Sequence, residues 1–410
     1  MSSEPATTAT SSPADDAQRD STILLMACAA FFSGAALRIS DGLLPRLARD
    51  FSITPGAAGQ VVISFSVAYG LMQLVFGPLG DRYGKARLMC LALFGCAAGA
   101  LASALAPGFD ALVWSRMAWG MAAAGVIPLA MAWIGDNVPY AQRQATLARF
   151  LTGTLSGMMA GQLAGGLFAD LAAGWRGAFF TLAAGFTLVA GLLLSRVRRM
   201  PTQQTSATHT GGAFFFLRNL QAVLQIPWAR RVLLAVAAEG VFLLGPMAFL
   251  PTYLHTRHGL TLALASGLIA LYAVGGLVYA LSARRLVASL GERRMVFVGG
   301  ILMAAAYLSL WLSPWWIAAG PIALLMGFGT YLFHNTLQTH ATQMAPASRG
   351  TAVALFAFCL FGGQALGVTL SGWTIDHLGY APMLLTAAGA LLLTGWAFAR
   401  ALARRPSAAG

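Results

Sequence analysis

Residues 77–87 read Gly77-Pro78-Leu79-Gly80-Asp81-Arg82-Tyr83-Gly84-Lys85-Ala86-Arg87. Four charges, Asp81, Arg82, Lys85 and Arg87, fall within a few positions of one another. Apolar runs stand on either side, about Ala57 to Leu79 and Arg87 to Leu105. A helix crossing a bilayer needs roughly 20 apolar residues, so both runs are long enough to span. The charged stretch is then a short polar loop joining two membrane helices. Gly77 lets neighbouring helices approach closely, and Gly84, lacking a Cβ, permits a tight turn.

The same alternation continues in both directions. The chain is 58% apolar and 10% charged over 410 residues, where a soluble domain carries about 25% charged residues. Twelve spans are expected. Helix 1 runs about Thr22 to Leu47, helix 2 Ala57 to Leu79, and helix 3 Arg87 to Leu105. Helix 4 runs Asp110 to Ile134, helix 5 Gln144 to Ala169, and helix 6 Arg176 to Leu194. Helix 7 runs Arg231 to Leu254, helix 8 Leu262 to Ala283, and helix 9 Arg294 to Leu312. Helix 10 runs Trp316 to Thr339, helix 11 Gly350 to Trp373, and helix 12 Ala381 to Phe398. The expected fold class is an all-α membrane protein of about twelve transmembrane helices in two six-helix pseudo-symmetric halves. Cys28, Cys90, Cys96 and Cys359 all lie in apolar segments without metal-ligand spacing, and read as small apolar packers.

A net charge of +13 would suggest nucleic acid in a soluble protein. Here the cations read as topology signals, and no nucleic-acid partner is expected. With both termini in the cytoplasm, 20 of the 26 Lys and Arg fall in or beside cytoplasmic segments, which satisfies the positive-inside rule. Arg46, Arg49, Arg176 and Arg257 fall outside, and Arg38 and Arg116 lie within spans. Residues 1–21 read as a disordered cytoplasmic tail without the basic region or cleavage site of a signal peptide. Residues 22–195 form the first half, 196–230 a cytoplasmic linker, 231–400 the second half and 401–410 a cytoplasmic tail. Within the linker, Phe216, Leu220, Val223 and Leu224 stand at helical spacing. A helix lying on the membrane face and a plain connector both fit that pattern.

The halves repeat at an offset of 206 residues. Pro45 matches Pro251, Arg143 matches Arg349, Gly157 matches Gly363, Gly161 matches Gly367, Gly166 matches Gly372, and Asp170 matches Asp376. A common register from helices 1 and 7 to helices 5 and 11 indicates an internal duplication. Parallel six-helix repeats place a solute site between the halves.

The loop Gly77–Arg87 closely resembles the loop signature of the major facilitator superfamily. The resemblance implies that Gly77, Asp81, Arg82, Gly84, Lys85 and Arg87 form a latch for one conformation, with Asp81 pairing a basic residue or capping a helix of the other half. The copy in the second half, from Arg284 to Arg294, has Ala288 where the acid stands. Helix 4 carries Arg116-Met-Ala-Trp119-Gly120, similar to the helix-4 motif of proton-coupled members, with Trp119 where the family commonly has Gln. Helix 5 carries Gly153, Gly157, Gly161, Gln162, Gly165 and Gly166, which look like the antiporter motif of the drug/proton branch. Small residues at every fourth position make a face on which another helix packs closely. Gln162 stands where that motif usually has Pro.

Ionisable residues inside a membrane mark functional sites and require partners. Arg38 and Asp41 are three residues apart and share a helical face. Asp41 stands four residues before Pro45 and resembles the helix-1 acid of drug/proton antiporters. Burial and a nearby cation act on a carboxylate in opposite senses, a balance suited to proton exchange. From Leu24, at 1.5 Å per residue, Asp41 lies roughly 25 Å along its helix, in the outer half. Glu239 is the acid of the second-half spans, and its repeat counterpart is Ser33. His334, Asn335 and Gln338 form a polar patch on helix 10, with His334 and Gln338 on one face; histidine titrates near neutrality.

These features imply a secondary transporter, not an enzyme, driven by the proton gradient and using no cofactor or metal. The likeness is to bacterial twelve-helix drug/proton antiporters of the arabinose-efflux-like branch. Asp41 and Glu239 are expected to exchange protons, tuned by Arg38 and Arg116. His334, Asn335, Gln338 and Trp119 are expected to line the solute cavity. Partners are a small solute, protons and the lipid bilayer, and the protein is expected to be a monomer of the bacterial inner membrane. A proton symporter or uniporter for nutrient uptake is a rival reading. A receptor or scaffold on the same fold is another, but would call for a sizeable signalling domain.

Overall fold

In the computed structural model, which describes residues 13–198 and 213–405, the expected spans become a bundle of helices. Helix 1 runs Pro13–Asp50, helix 2 Gln60–Tyr83, helix 3 Lys85–Ala104 and helix 4 Phe109–Asn137. Helix 5 runs Tyr140–Asp170 and helix 6 Gly174–Val197. A linker helix, Ala213–Gln225, precedes helix 7, Pro227–His258. Helix 10 runs Ala319–Gln343, helix 11 Arg349–Leu378 and helix 12 Tyr380–Ala403.

Ten helical stretches among the described residues are long and apolar enough to cross a membrane. The expected count of twelve is recovered for two physical reasons. Leu262–Leu312 is one helical run of 51 residues broken at Gly291, whose φ of 70° and ψ of 162° are non-helical. The two sides of that break are helices 8 and 9. Helix 5 falls short in composition, because its glycines, Thr152, Thr154, Ser156 and Gln162 dilute its apolar residues, yet it packs along helix 1 like any other member of the bundle.

Helix 1 begins at Pro13, nine residues before the expected start at Thr22. Proline is favoured at a first helical position. Residues 1–12 and 406–410, and the linker stretch 199–212, lie outside the described residues.

The glycines of helix 5 explain how the halves are built. A Cβ at Gly153, Gly157, Gly161 or Gly165 would collide with the carbonyl of Ala27, Phe31, Ala35 or Ile39 on helix 1. Both sets step by four residues, so two helices lie backbone to backbone along one stripe. The second half repeats this: Gly363 meets Ala237 and Gly367 meets Val241, each pair at the 206-residue offset from its first-half copy. Without a hydrophobic force between helices in lipid, close van der Waals contact of this kind is a main source of association.

Candidate functional site

The halves meet through helix 5 against helix 8 and helix 2 against helix 11. Asp170, at the end of helix 5, accepts hydrogen bonds from the backbone N–H of Leu262 (3.2 Å) and Ala263 (2.8 Å) at the start of helix 8. Asp376, at the end of helix 11, accepts from the Gly56 N–H (3.0 Å) and the Thr54 hydroxyl (2.6 Å) at the approach to helix 2. Asp170 and Asp376 are repeat counterparts, and so are Gly56 and Leu262. The two carboxylates therefore cap, each in the opposite half, the first orphan N–H groups of a helix. Both caps lie at the end of the bundle away from the Asp81 loop. Gly166 also abuts the Leu262 carbonyl, and Gly372 abuts Gly56, so this end is closed by backbone contact as well.

Deeper in the bundle lie two buried pairs. Arg38 Nη1 donates to Asp41 Oδ2 at 3.2 Å; Asp41 is fully buried and Arg38 is 5% exposed. The other Asp41 oxygen has no hydrogen-bond partner among the described residues. His334 Nδ1 stands 3.0 Å from both carboxylate oxygens of Glu239. Glu239, expected to carry protons, and His334, expected to contact solute, thus stand together as one hydrogen-bonded pair between helices 7 and 10. Directly after Glu239, helix 7 loosens into a π-helical turn, Gly240–Leu244. Such turns occur frequently at functional sites. Tyr272 of helix 8 is within electrostatic reach of both Arg38 and Glu239.

Arg116 is 1% exposed and lies inside the first half. Its guanidinium sits 4.1 Å from the Phe65 ring centre and 4.7 Å from that of Trp119, and donates at 3.4 Å to the carbonyls of Val61 and Ala36. Aromatic faces thus supply much of its solvation. Trp119, expected at the cavity, is fully buried against Phe65, Phe179 and Phe186. That packing holds the large ring beside the buried Arg116 cation and leaves it no exposed surface. On helix 10, Asn335 is half-buried and Gln338 exposed, so the polar patch extends from the Glu239–His334 pair toward one end of the helix.

Gln162 is 3% exposed, and neither end of its amide finds a partner among the described residues. It faces a small void with Arg38, Met158, Met247 and Tyr272, so the position that departs from the helix-5 motif lies where the halves meet. Gly165 and Gly166 flank it on the two contact faces of helix 5.

At the other end, Gly84 has a φ of 86° and ends helix 2 while starting helix 3, as a tight turn requires. Lys85 pairs with Asp136 at the end of helix 4, a contact within one half that loop spacing alone did not indicate. Arg82 stacks on Tyr83 at 5.2 Å. Gly77 has open space where a Cβ would go, Arg87 is engaged in a contact of its own, and the Asp81 side chain lies outside the described residues.

A family model described as "Major Facilitator Superfamily" matches residues 26–368 and 285–410. The chain belongs to the major facilitator superfamily. It is 24% identical over 352 residues to the uncharacterized MFS-type transporter YceJ of Bacillus subtilis, covering 85% of this chain and 88% of the relative. It is 24% identical over 360 residues to a chloramphenicol resistance protein of Streptomyces lividans, covering 87% and 89%. Among solved structures, nucleoside transporter NupG (D323A mutant) superposes with a TM-score of 0.77 at 12% identity, over 92% of this chain and 98% of that one. This member of the superfamily is a multi-pass membrane transporter of a small solute, with the family's fold.

Proposed function

We propose that this protein exports a small organic solute across a bacterial inner membrane in exchange for protons, by alternating access. The observation that carries the reading is the pair of buried carboxylates, Asp41 and Glu239, each held to one basic side chain near where the halves meet. A buried charge pair is costly unless it does something the fold needs. Likeness to a chloramphenicol resistance protein and the glycine face of helix 5 support export. The basic loops are taken as cytoplasmic, with both termini on that side, and the protein as a monomer. The halves are taken as residues 22–195 and 231–400. With the far end capped by Asp170 and Asp376, the conformation is read as inward-facing.

The test uses purified protein in liposomes holding a pH-sensitive dye, screened against a solute library that includes chloramphenicol and nucleosides. Export by antiport predicts that adding an accepted solute on one side draws protons toward that same side, against the direction of solute movement. Proton movement in the same direction as solute would establish symport instead. Solute flux with no proton movement at any pH gradient would leave a uniporter and remove the proton from the proposal.

A further inference from the structure

At the Asp81-loop end of helices 7 and 12 the surface opens into a groove of about 610 Å³. Its wall is apolar, including Leu234, Trp396 and Ala397, while Arg231, Arg400 and Arg404 stand around it, and no acid lines it. Leu234 is 71% exposed and Trp396 46% exposed. Both lie on spans, so the apolar wall faces hydrocarbon.

Two observations separate this groove from ordinary positive-inside charge. Arg231 and Arg404 have no protein acceptor among the described residues, and Arg400 is engaged only with the Trp396 ring, at 4.7 Å. Their repeat counterparts at the 206-residue offset are Leu25, Leu194 and Arg198, and that of Trp396 is Ala190. The fold builds the same helix pair in the first half without two of the three cations or the indole. A membrane-facing slot with an apolar wall and a guanidinium cluster at its mouth matches an amphiphile with an anionic head. Arginine forks bind phosphate bidentately, and tryptophan sits well at the headgroup level. A free anion in water would gain nothing from the apolar wall.

We infer that this groove holds the head and upper chains of an anionic phospholipid of the leaflet on the basic-loop side. On the orientation proposed above that is the cytoplasmic leaflet. Each guanidinium near an anionic surface is worth about fivefold in affinity, so three give on the order of a hundredfold preference for anionic over zwitterionic lipid.

The experiment uses the full chain purified in detergent, with native mass spectrometry and thermal unfolding as readouts. The probes are phosphatidylglycerol, phosphatidylcholine and inorganic phosphate. Wild type should retain phosphatidylglycerol at concentrations where phosphatidylcholine is lost, and phosphatidylglycerol should raise its unfolding temperature. R231Q/R400Q/R404Q should lose that preference, R231K/R400K/R404K should keep part of it, and the distant R284Q/R285Q should keep all of it. Equal retention of both lipids by wild type, or undiminished preference in the triple glutamine variant, overturns the site. Stabilisation by inorganic phosphate equal to that by phosphatidylglycerol would overturn the lipid as occupant. None of these readouts involves transport, so they stand or fall apart from the antiport reading.

Discussion

At Gln162 a single side chain carries opposite consequences for stability and for function. A buried amide left without hydrogen bonds costs about 1–3 kcal/mol, and this one faces a void shared with Arg38, three methionines and Tyr272. Gln162→Met replaces it with an apolar chain of similar length. We expect the unfolding midpoint in detergent to rise, by the equivalent of roughly 1 kcal/mol, while transport falls or its solute preference changes. A variant with unchanged transport and a lower midpoint would make Gln162 a packing residue. The two buried acids ask a sharper question. Asp41→Asn imitates a carboxyl that never releases its proton, so it should abolish solute-driven proton movement in liposomes while solute binding persists. Glu239→Gln is the rival: if it uncouples transport and Asp41→Asn does not, the proton is carried on helix 7. The sequence showed the Arg38–Asp41 pair because three residues on a helix share a face. It could not show Glu239 beside His334, since 95 residues separate them and only the packing of helix 7 on helix 10 joins them.

Helices are where most of the architecture was legible, and the glycines show why. A four-residue glycine step has one efficient use in lipid, which is backbone contact with a neighbour, so the helix-5 motif announced a tight face. Its partner, the Ala27-Phe31-Ala35-Ile39 stripe on helix 1, was not marked, because the contacts are carbonyl oxygens and every residue has one. Gly161→Leu drives a branched side chain into the Ala35 backbone, so loss of folded protein from the membrane is expected, measured by size-exclusion of the detergent extract. Wild-type abundance and rate would place Gly161 away from any close contact. The carboxylate caps were half-legible: Asp170 and Asp376 stood out as repeat partners, but what they cap depends on which end of the bundle is shut. Losing an acceptor cap costs about 0.5–2 kcal/mol. Asp170→Ala or Asp376→Ala should therefore shift the population several-fold away from this closed end, read by thiol labelling of a cysteine placed at Thr261. Labelling equal to that in the parent protein would show the caps to be ornamental to the equilibrium.

Across the whole molecule, the alternating-access proposal reads the caps, the glycine contacts and the buried pairs as parts of a two-state device rather than a fixed pore. On that proposal each half, built on the same helix-5-type glycine packing, moves as a unit, and the carboxylate caps that cross between the halves at one end are polar contacts of the kind that exchange readily with water. The Gly166–Leu262 and Gly372–Gly56 approaches, by contrast, tolerate no inserted atom, so that end is either shut or fully parted. Alternating access requires it to part. In a background with Cys28, Cys90, Cys96 and Cys359 replaced, cysteines at Thr54 and Asp376 should be bridged by a short, cleavable thiol reagent, since the native side chains touch at 2.6 Å. Bridging should stop transport and reductive cleavage should restore it, while solute still binds from the opposite side. The other cap gives an independent second pair, Asp170 with Ala263, whose backbone N–H lies 2.8 Å from the carboxylate, should the first unbridged double variant prove inactive. If the bridged protein transports at the unbridged rate, this end never opens, and solute must cross by a route other than the interface between the halves.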